Sequence, residues 1–202
     1  MLCEGITSKT RSRCDSLWIK REAKPIIAIT MDDAGFYEEA SNILRMALDV
    51  EKTTLRLKDS EVYPLIYYYL GYFLEKMGSY EEAFKFYRLG GKARRDYVFP
   101  FRLETLNVLK QVIRRFTRDA RARYYLGNLL FSIYRFEEAM KEWNISADID
   151  PEFDVIHRNL GLAYRKVKGD IECAVNITRK PFHAILIMSD FTSSWMIFTK
   201  RR

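Results

Sequence analysis

Apolar and small residues fall in helical order between Arg121 and Pro151: Leu126-Gly127, Leu130, then Ala139 and Trp143, then Pro151. Spacings of three and four put such residues on one stripe of a helix. The stretch predicts two antiparallel helices joined by a short turn. Gly127 and Ala139 are small enough to let the pair approach closely, while Leu126, Leu130 and Trp143 fill the space around that contact. Pro151 is expected in the first turn of the next helix, where its missing N–H costs nothing.

A six-residue motif recurs at the turns. Gly35-Phe36-Tyr37-Glu38-Glu39-Ala40 returns as Gly78-Ser79-Tyr80-Glu81-Glu82-Ala83 and as Tyr134-Arg135-Phe136-Glu137-Glu138-Ala139. The aromatic is expected in the interhelical corner and the alanine at the close approach. The two glutamates fall in the first turn of the second helix, where the helix dipole favours anions. Glu-Glu-Ala alone is only a good helix start; the shared aromatic before it marks a repeat.

The same pattern divides the chain. A first unit, about 22–50, has Pro25 in its opening turn, Ile27-Ala28 in place of Leu-Gly, and a second helix over Tyr37–Leu48. The polar stretch from Glu51 to Glu61 prolongs that helix or connects it onward. A second unit, about 63–91, carries Leu70-Gly71, Leu74, Ala83 and Tyr87, with Gly90-Gly91 expected to stop its last helix. Residues 92–118 read as a degenerate unit that keeps its second helix, with Leu103, Leu106, Leu109, Val112, Ile113 and Phe116 on one face. The third unit spans 119–152. The fourth, 153–180, has Leu160-Gly161, Tyr164 and Ala174 after Gly169-Asp170, and departs from the pattern near Ile177 and Thr178 before Pro181. Residues 1–21 read as a flexible arm. The tail, 181–202, admits three readings: an irregular cap, an interface, or non-native sequence. Asp190, Ser193 and Ser194 make it too polar for a membrane span.

The order apolar, Leu-Gly, apolar, Ala-x-x-x-aromatic, Pro resembles the tetratricopeptide repeat family. Gly127 and Gly161 stand 34 residues apart (127 to 161), the family period, whereas Gly71 and Gly127 stand 56 apart (71 to 127). The resemblance covers about residues 22–180. It implies an all-α fold, a right-handed α-solenoid of antiparallel helix pairs, whose first helices line a concave groove that holds partner peptides. Carried over by register, the lining is Tyr68, Tyr69 and Tyr72, then Arg121, Tyr124, Tyr125 and Asn128, then Arg158, Asn159 and Arg165. The same tyrosines also suit inter-repeat core. Chaperone-binding members use two asparagines at the places of Asn128 and Asn159, with Lys and Arg, to hold a carboxylate; Tyr124 stands here where one Lys is expected. The stretch from Tyr97 through Ala139 also resembles arrays near the C-terminus of larger bacterial proteins that carry a domain of unknown function. That implies a fragment, or a truncated remnant of a larger enzyme-associated protein.

Composition narrows function without naming it. The chain has 48% hydrophobic residues, 5 Pro and 9 Gly, which suits a soluble helical protein. Its formal charge of +7 suits an acidic peptide or nucleic acid, and also simple solubility. Cys3, Cys14 and Cys173 are odd in number and lack metal spacing, so a reducing, cytoplasmic setting is expected, with no disulfide framework. The charged residues from Glu4 to Arg21 leave no room for a secretory apolar run. The two histidines, His157 and His183, form no catalytic or metal constellation, and His157 is expected to be a packing residue. No cofactor is expected. The expected function is a non-catalytic protein-interaction scaffold. A nucleic-acid-binding repeat is the runner-up, carried by Arg94-Arg95, Arg114-Arg115, Arg118, Arg121 and Arg123 with nearby aromatics.

Overall fold

Helix-forming stretches punctuated by glycine become helices throughout. The structure is a computed structural model that describes residues 35–93 and 98–179. Among the described residues there are eight α-helices and no strand: α1 Tyr37–Leu55, α2 Pro64–Lys76, α3 Tyr80–Lys92, α4 Thr105–Arg115, α5 Ala120–Ser132, α6 Phe136–Ile149, α7 Asp154–Ala163 and α8 Ile171–Arg179. A 3₁₀ turn, Asp59–Glu61, precedes α2, and a π turn, Tyr164–Lys168, follows α7. The arm, the first helix expected near Pro25, the Arg94-Arg95 pair and the tail lie outside the described residues. One compact unit ends at Ile149 and the other starts at Asp150.

Two helical hairpins, α2–α3 and α5–α6, frame the first unit, and each closes on a glycine. A Cβ on Gly71 would lie 2.4 Å from the Tyr87 ring and 3.0 Å from the Ala83 carbonyl oxygen. A Cβ on Gly127 would lie 2.4 Å from the Trp143 indole and 3.1 Å from the Ala139 carbonyl oxygen. Neither place has room for a methyl group, because both aromatic rings are themselves buried. Ala40, Ala83 and Ala139 of the turn motif are fully buried. Their paired glutamates occupy the first turns of α1, α3 and α6.

The turns share one backbone device. Gly35, Gly78 and Gly169 take φ of +77°, +82° and +68°, and Tyr134 takes +64°. Glycine adopts this left-handed region freely, whereas a side chain costs about 1–2 kcal/mol. After Gly78, the Ser79 N–H donates to the Leu74 carbonyl at 2.9 Å; after Tyr134, the Arg135 N–H donates to Leu130 at 2.9 Å. These are the long bonds of a Schellman closure. In the second unit the matching bond runs from Asp170 N–H to Tyr164 at 3.2 Å and spans one residue more, the extra residue of the π turn.

Several expectations change in detail. Tyr80 does not tuck into the interhelical corner but is 51% exposed, while its counterpart Phe136 meets Phe131 at 4.8 Å. Gly90 and Gly91 do not stop α3; they lie within it. A Cβ on Gly90 would come 2.6 Å from the Tyr68 ring, so this glycine is a seat for an aromatic. Leu103 precedes α4 and is exposed, and the buried stripe of α4 is Thr105, Val108, Leu109 and Val112. Pro151 sits in a turn ahead of α7, which starts at Asp154 behind Phe153. There the Phe153 N–H donates to the Asp150 carbonyl at 3.1 Å.

The core of the first unit centres on α2. Every residue of α2 from Pro64 to Glu75 is buried, because α1, α3 and α4 all pack against it. A helix enclosed in this way must be apolar on all sides. α5 repeats the arrangement, buried without a break from Tyr124 to Leu130 between α4 and α6. In the second unit, α7 packs on the π turn and α8, with Phe153, Ile156, Leu160 and Ala163 buried.

Candidate functional site

The segment that breaks the repeat decides which surfaces remain open. α4 packs against α2 and α5, the first helices of the two hairpins. The segment from Val98 through α4 is bound there by polar side chains as well as by the apolar stripe of α4. The hydroxyls of Tyr69 and Thr105 meet at 2.5 Å. The Asn128 amide Nδ2 donates to the Val98 carbonyl at 3.3 Å. Gln111 Nε2 and Arg115 Nε donate to Glu75 Oε1 at 2.8 and 2.6 Å.

The helix packing of the first unit takes up most of the residues carried over by register. Tyr68, Tyr69, Tyr72, Tyr124 and Tyr125 are all buried, as is Asn128, so the structure places them inside the helix packing. The Tyr68 hydroxyl donates to Asp119 Oδ2 at 2.9 Å, and its ring stands edge-on to Tyr125 at 6.3 Å. Burial first, and the charge of Asp119 second, push the Tyr68 phenol well above its ordinary range. Burial likewise raises the Asp119 carboxyl, against the opposing bonds from the Ala122 N–H and Tyr68. Asn128 Oδ1 accepts from Trp143 Nε1 at 3.2 Å. Arg121 is half-buried and donates to the Gly91 carbonyl. In the second unit Asn159 is buried, Arg158 is half-buried and Arg165 is exposed.

Three arginines of the basic run, Arg115, Arg121 and Arg123, are used within the fold. Arg115 pairs with Glu75, and Arg123 pairs with Glu142 at 2.8 Å and caps the Thr117 carbonyl at 3.1 Å. Arg114 and Arg118 are exposed. His157 is half-buried, with Nε2 2.9 Å from the Pro151 carbonyl oxygen. Cys173 is exposed, and its thiol is raised by hydrogen bonding to Asp170. Among the described residues no cluster of His, Cys, Asp or Glu could hold a metal ion, and no helix is long and apolar enough to cross a membrane.

A cleft of about 490 Å³ opens between α2 and α4. Tyr72, Glu75 and Lys76 line it from α2, Tyr80 from the start of α3, and Asn107, Lys110, Gln111 and Arg114 from α4. Its lining holds three cations and one carboxylate. That carboxylate, Glu75, is buried, and its oxygens already take bonds from Gln111, Arg115 and the Tyr87 hydroxyl at 2.9 Å. The Lys76 ammonium lies 5.3 Å from the centre of the Tyr72 ring. The accessible charge of the cleft is therefore positive. Register alone missed Lys76, Lys110, Asn107 and Gln111. The available signal was the polar stripe Asn107, Lys110, Gln111, Arg114, spaced by three and four on the side of α4 away from its buried stripe.

No family model matches the chain, and no curated protein matches it. Among solved structures it is similar to a crystal structure of MamA, 22% identical over 79% of this chain and 75% of that one, with a TM-score of 0.39. It is also similar to MamA 41-end from Desulfovibrio magneticus RS-1, 21% identical over 90% of this chain and 97% of that one, with a TM-score of 0.35. Likenesses this weak carry no argument about activity or partner, and no match supports the resemblance to larger bacterial proteins.

Proposed function

We propose that the chain is a non-catalytic scaffold that holds a protein partner on the face built by the first helices of its hairpins. One observation carries the reading: on that face the fold keeps an open, polar-walled cleft beside α2, although α4 packs over the neighbouring Tyr69. Of the carried-over set, Arg165 is exposed and can extend the contact within its own unit. Substituting the buried tyrosines would test stability, not binding, so surface residues are the right probes. The full chain is immobilised, and direct partners are identified and titrated against it. Loss of a titrated partner on changing cleft residues, with helicity unchanged by circular dichroism, is the expected result; a partner indifferent to every exposed residue of this face sinks the reading.

The nucleic-acid reading has less to stand on. Arg115, Arg121 and Arg123 are engaged within the fold, so among the described residues the arginine run offers no continuous track for backbone phosphates.

A further inference from the structure

We propose that the cleft between α2 and α4 is the docking site for an acidic peptide segment of a protein partner. The proposal rests on the scaffold reading and adds the partner's chemistry and the residues that select it.

Charge is the first argument. Lys76 stands on one wall and Lys110 and Arg114 on the other, all three exposed. The single carboxylate in the lining is buried and accepts three internal hydrogen bonds, so it does not cancel them. A concave site with cations on facing walls focuses potential toward its middle and favours a ligand with several carboxylates.

The second argument is the polar filling between the cations. Asn107 and Gln111 lie one helical turn apart on α4, beside Lys110 and Arg114. Their amides can donate to and accept from the backbone of an extended peptide. Tyr80 is half exposed at the cleft rim and offers a ring face with a polar tip, the kind of side chain that anchors peptides at low entropic cost.

Size is the third. A volume of about 490 Å³ suits a short run of side chains and lies within the usual range for pockets of about 300–1,000 Å³. A long polyanion would need cations continuing past the cleft, and the next arginine on α4, Arg115, is already paired with Glu75.

The test is a titration of the full-length protein with a fluorescent deca-glutamate peptide at two salt concentrations, beside the deca-glutamine peptide and a single-stranded DNA oligomer of equal charge. The glutamate peptide is expected to bind, more weakly at higher salt, and more tightly than either comparator. Lys110→Glu with Arg114→Glu is expected to cut its affinity by roughly tenfold or more, and Lys76→Glu by a smaller factor of about three. Lys141→Glu, an exposed reversal on α6, is expected to leave affinity within about twofold. Equal binding of the glutamine peptide, equal damage from Lys141→Glu, or tighter binding of the DNA would each overturn the proposal. If a titrated protein partner keeps its affinity for the Lys110→Glu, Arg114→Glu variant, the cleft is wrong and the scaffold stands. If the wild-type chain binds no protein, the scaffold reading falls while the peptide titration still judges the cleft.

Discussion

The hairpins α2–α3 and α5–α6 place an aromatic on a glycine in the same way and then finish its polar atom in opposite ways. The Tyr87 hydroxyl, over Gly71, donates to the buried carboxylate of Glu75, which in turn accepts from Gln111 and Arg115 of α4. The Trp143 indole N–H, over Gly127, is shared between the Tyr124 carbonyl and Asn128 Oδ1, both at 3.2 Å, and the Asn128 amide reaches Val98. Both relays end in the segment that interrupts the repeat. One passes through a charge and the other through a neutral amide. A buried charge without its partner costs several kcal/mol, whereas an orphaned neutral group costs about 1–3 kcal/mol. The α2–α3 hairpin therefore depends on α4 more heavily than α5–α6 does, although the two carry the same motif.

The largest expected effect breaks what the hairpins share. Gly71→Ala and Gly127→Ala each drive a methyl into a buried ring that cannot retreat, and each should cost about 3 kcal/mol or more in urea unfolding. Alanine tolerated at either glycine would dismiss the close-approach account. The next effect separates the hairpins. Arg115→Ala should cost about 1–2 kcal/mol, reduced from a fully buried pair because the Arg115 side chain is 43% exposed and two donors to Glu75 remain. Combined with Tyr87→Phe it should show a coupling of about 0.5–1 kcal/mol, and combined with Trp143→Phe it should be additive. Coupling in both cycles would erase the distinction drawn here.

Smaller effects sharpen the comparison at the turns. Tyr134 is 74% exposed and holds the left-handed conformation that glycine holds at the matching turn. Tyr134→Gly should stabilise the protein by about 0.5–1 kcal/mol, the gain being limited by the lost edge contact with Phe136. Gly78→Ala should destabilise it by a similar amount, read by thermal unfolding. The smallest effect concerns Asp119, which tops α5 by accepting from the Ala122 N–H at 2.9 Å. Its folded pKa lies above the unfolded value, so its protonated form favours the fold. That contribution is present in acid and fades as pH rises through the folded pKa. Asp119→Asn keeps the cap and should remove this part of the pH dependence; an unchanged acid-side slope would count against the burial argument.

The hairpins were legible because close approach restricts sequence severely. Only Gly71 and Gly127 fit under their rings, and only alanine suits the places of Ala83 and Ala139, so spacing reports geometry directly. The place of α4 was not legible. A stripe of Val108, Leu109 and Val112 looks the same whichever helices it faces. Gly90 was ambiguous for a related reason: a helix stop and an aromatic seat both demand a residue without a side chain. Burial of Tyr68 was one of two readings left open, but the group that satisfies its hydroxyl, Asp119, was not legible, because it lies 51 residues away. The cleft itself depends on a polar stripe that in isolation resembles any solvated helix face.

The relay through Glu75 also sets an order of events during synthesis. Once Lys92 has left the ribosome, both helices of the α2–α3 hairpin exist in full. Tyr87 is then already in place, but the other two donors to the Glu75 carboxylate follow 36 and 40 residues after it, so the hairpin is not fully locked until α4 has emerged. The earlier hairpin of this unit is thus finished late, and a nascent chain halted between Lys92 and Arg115 would present a hairpin that opens readily.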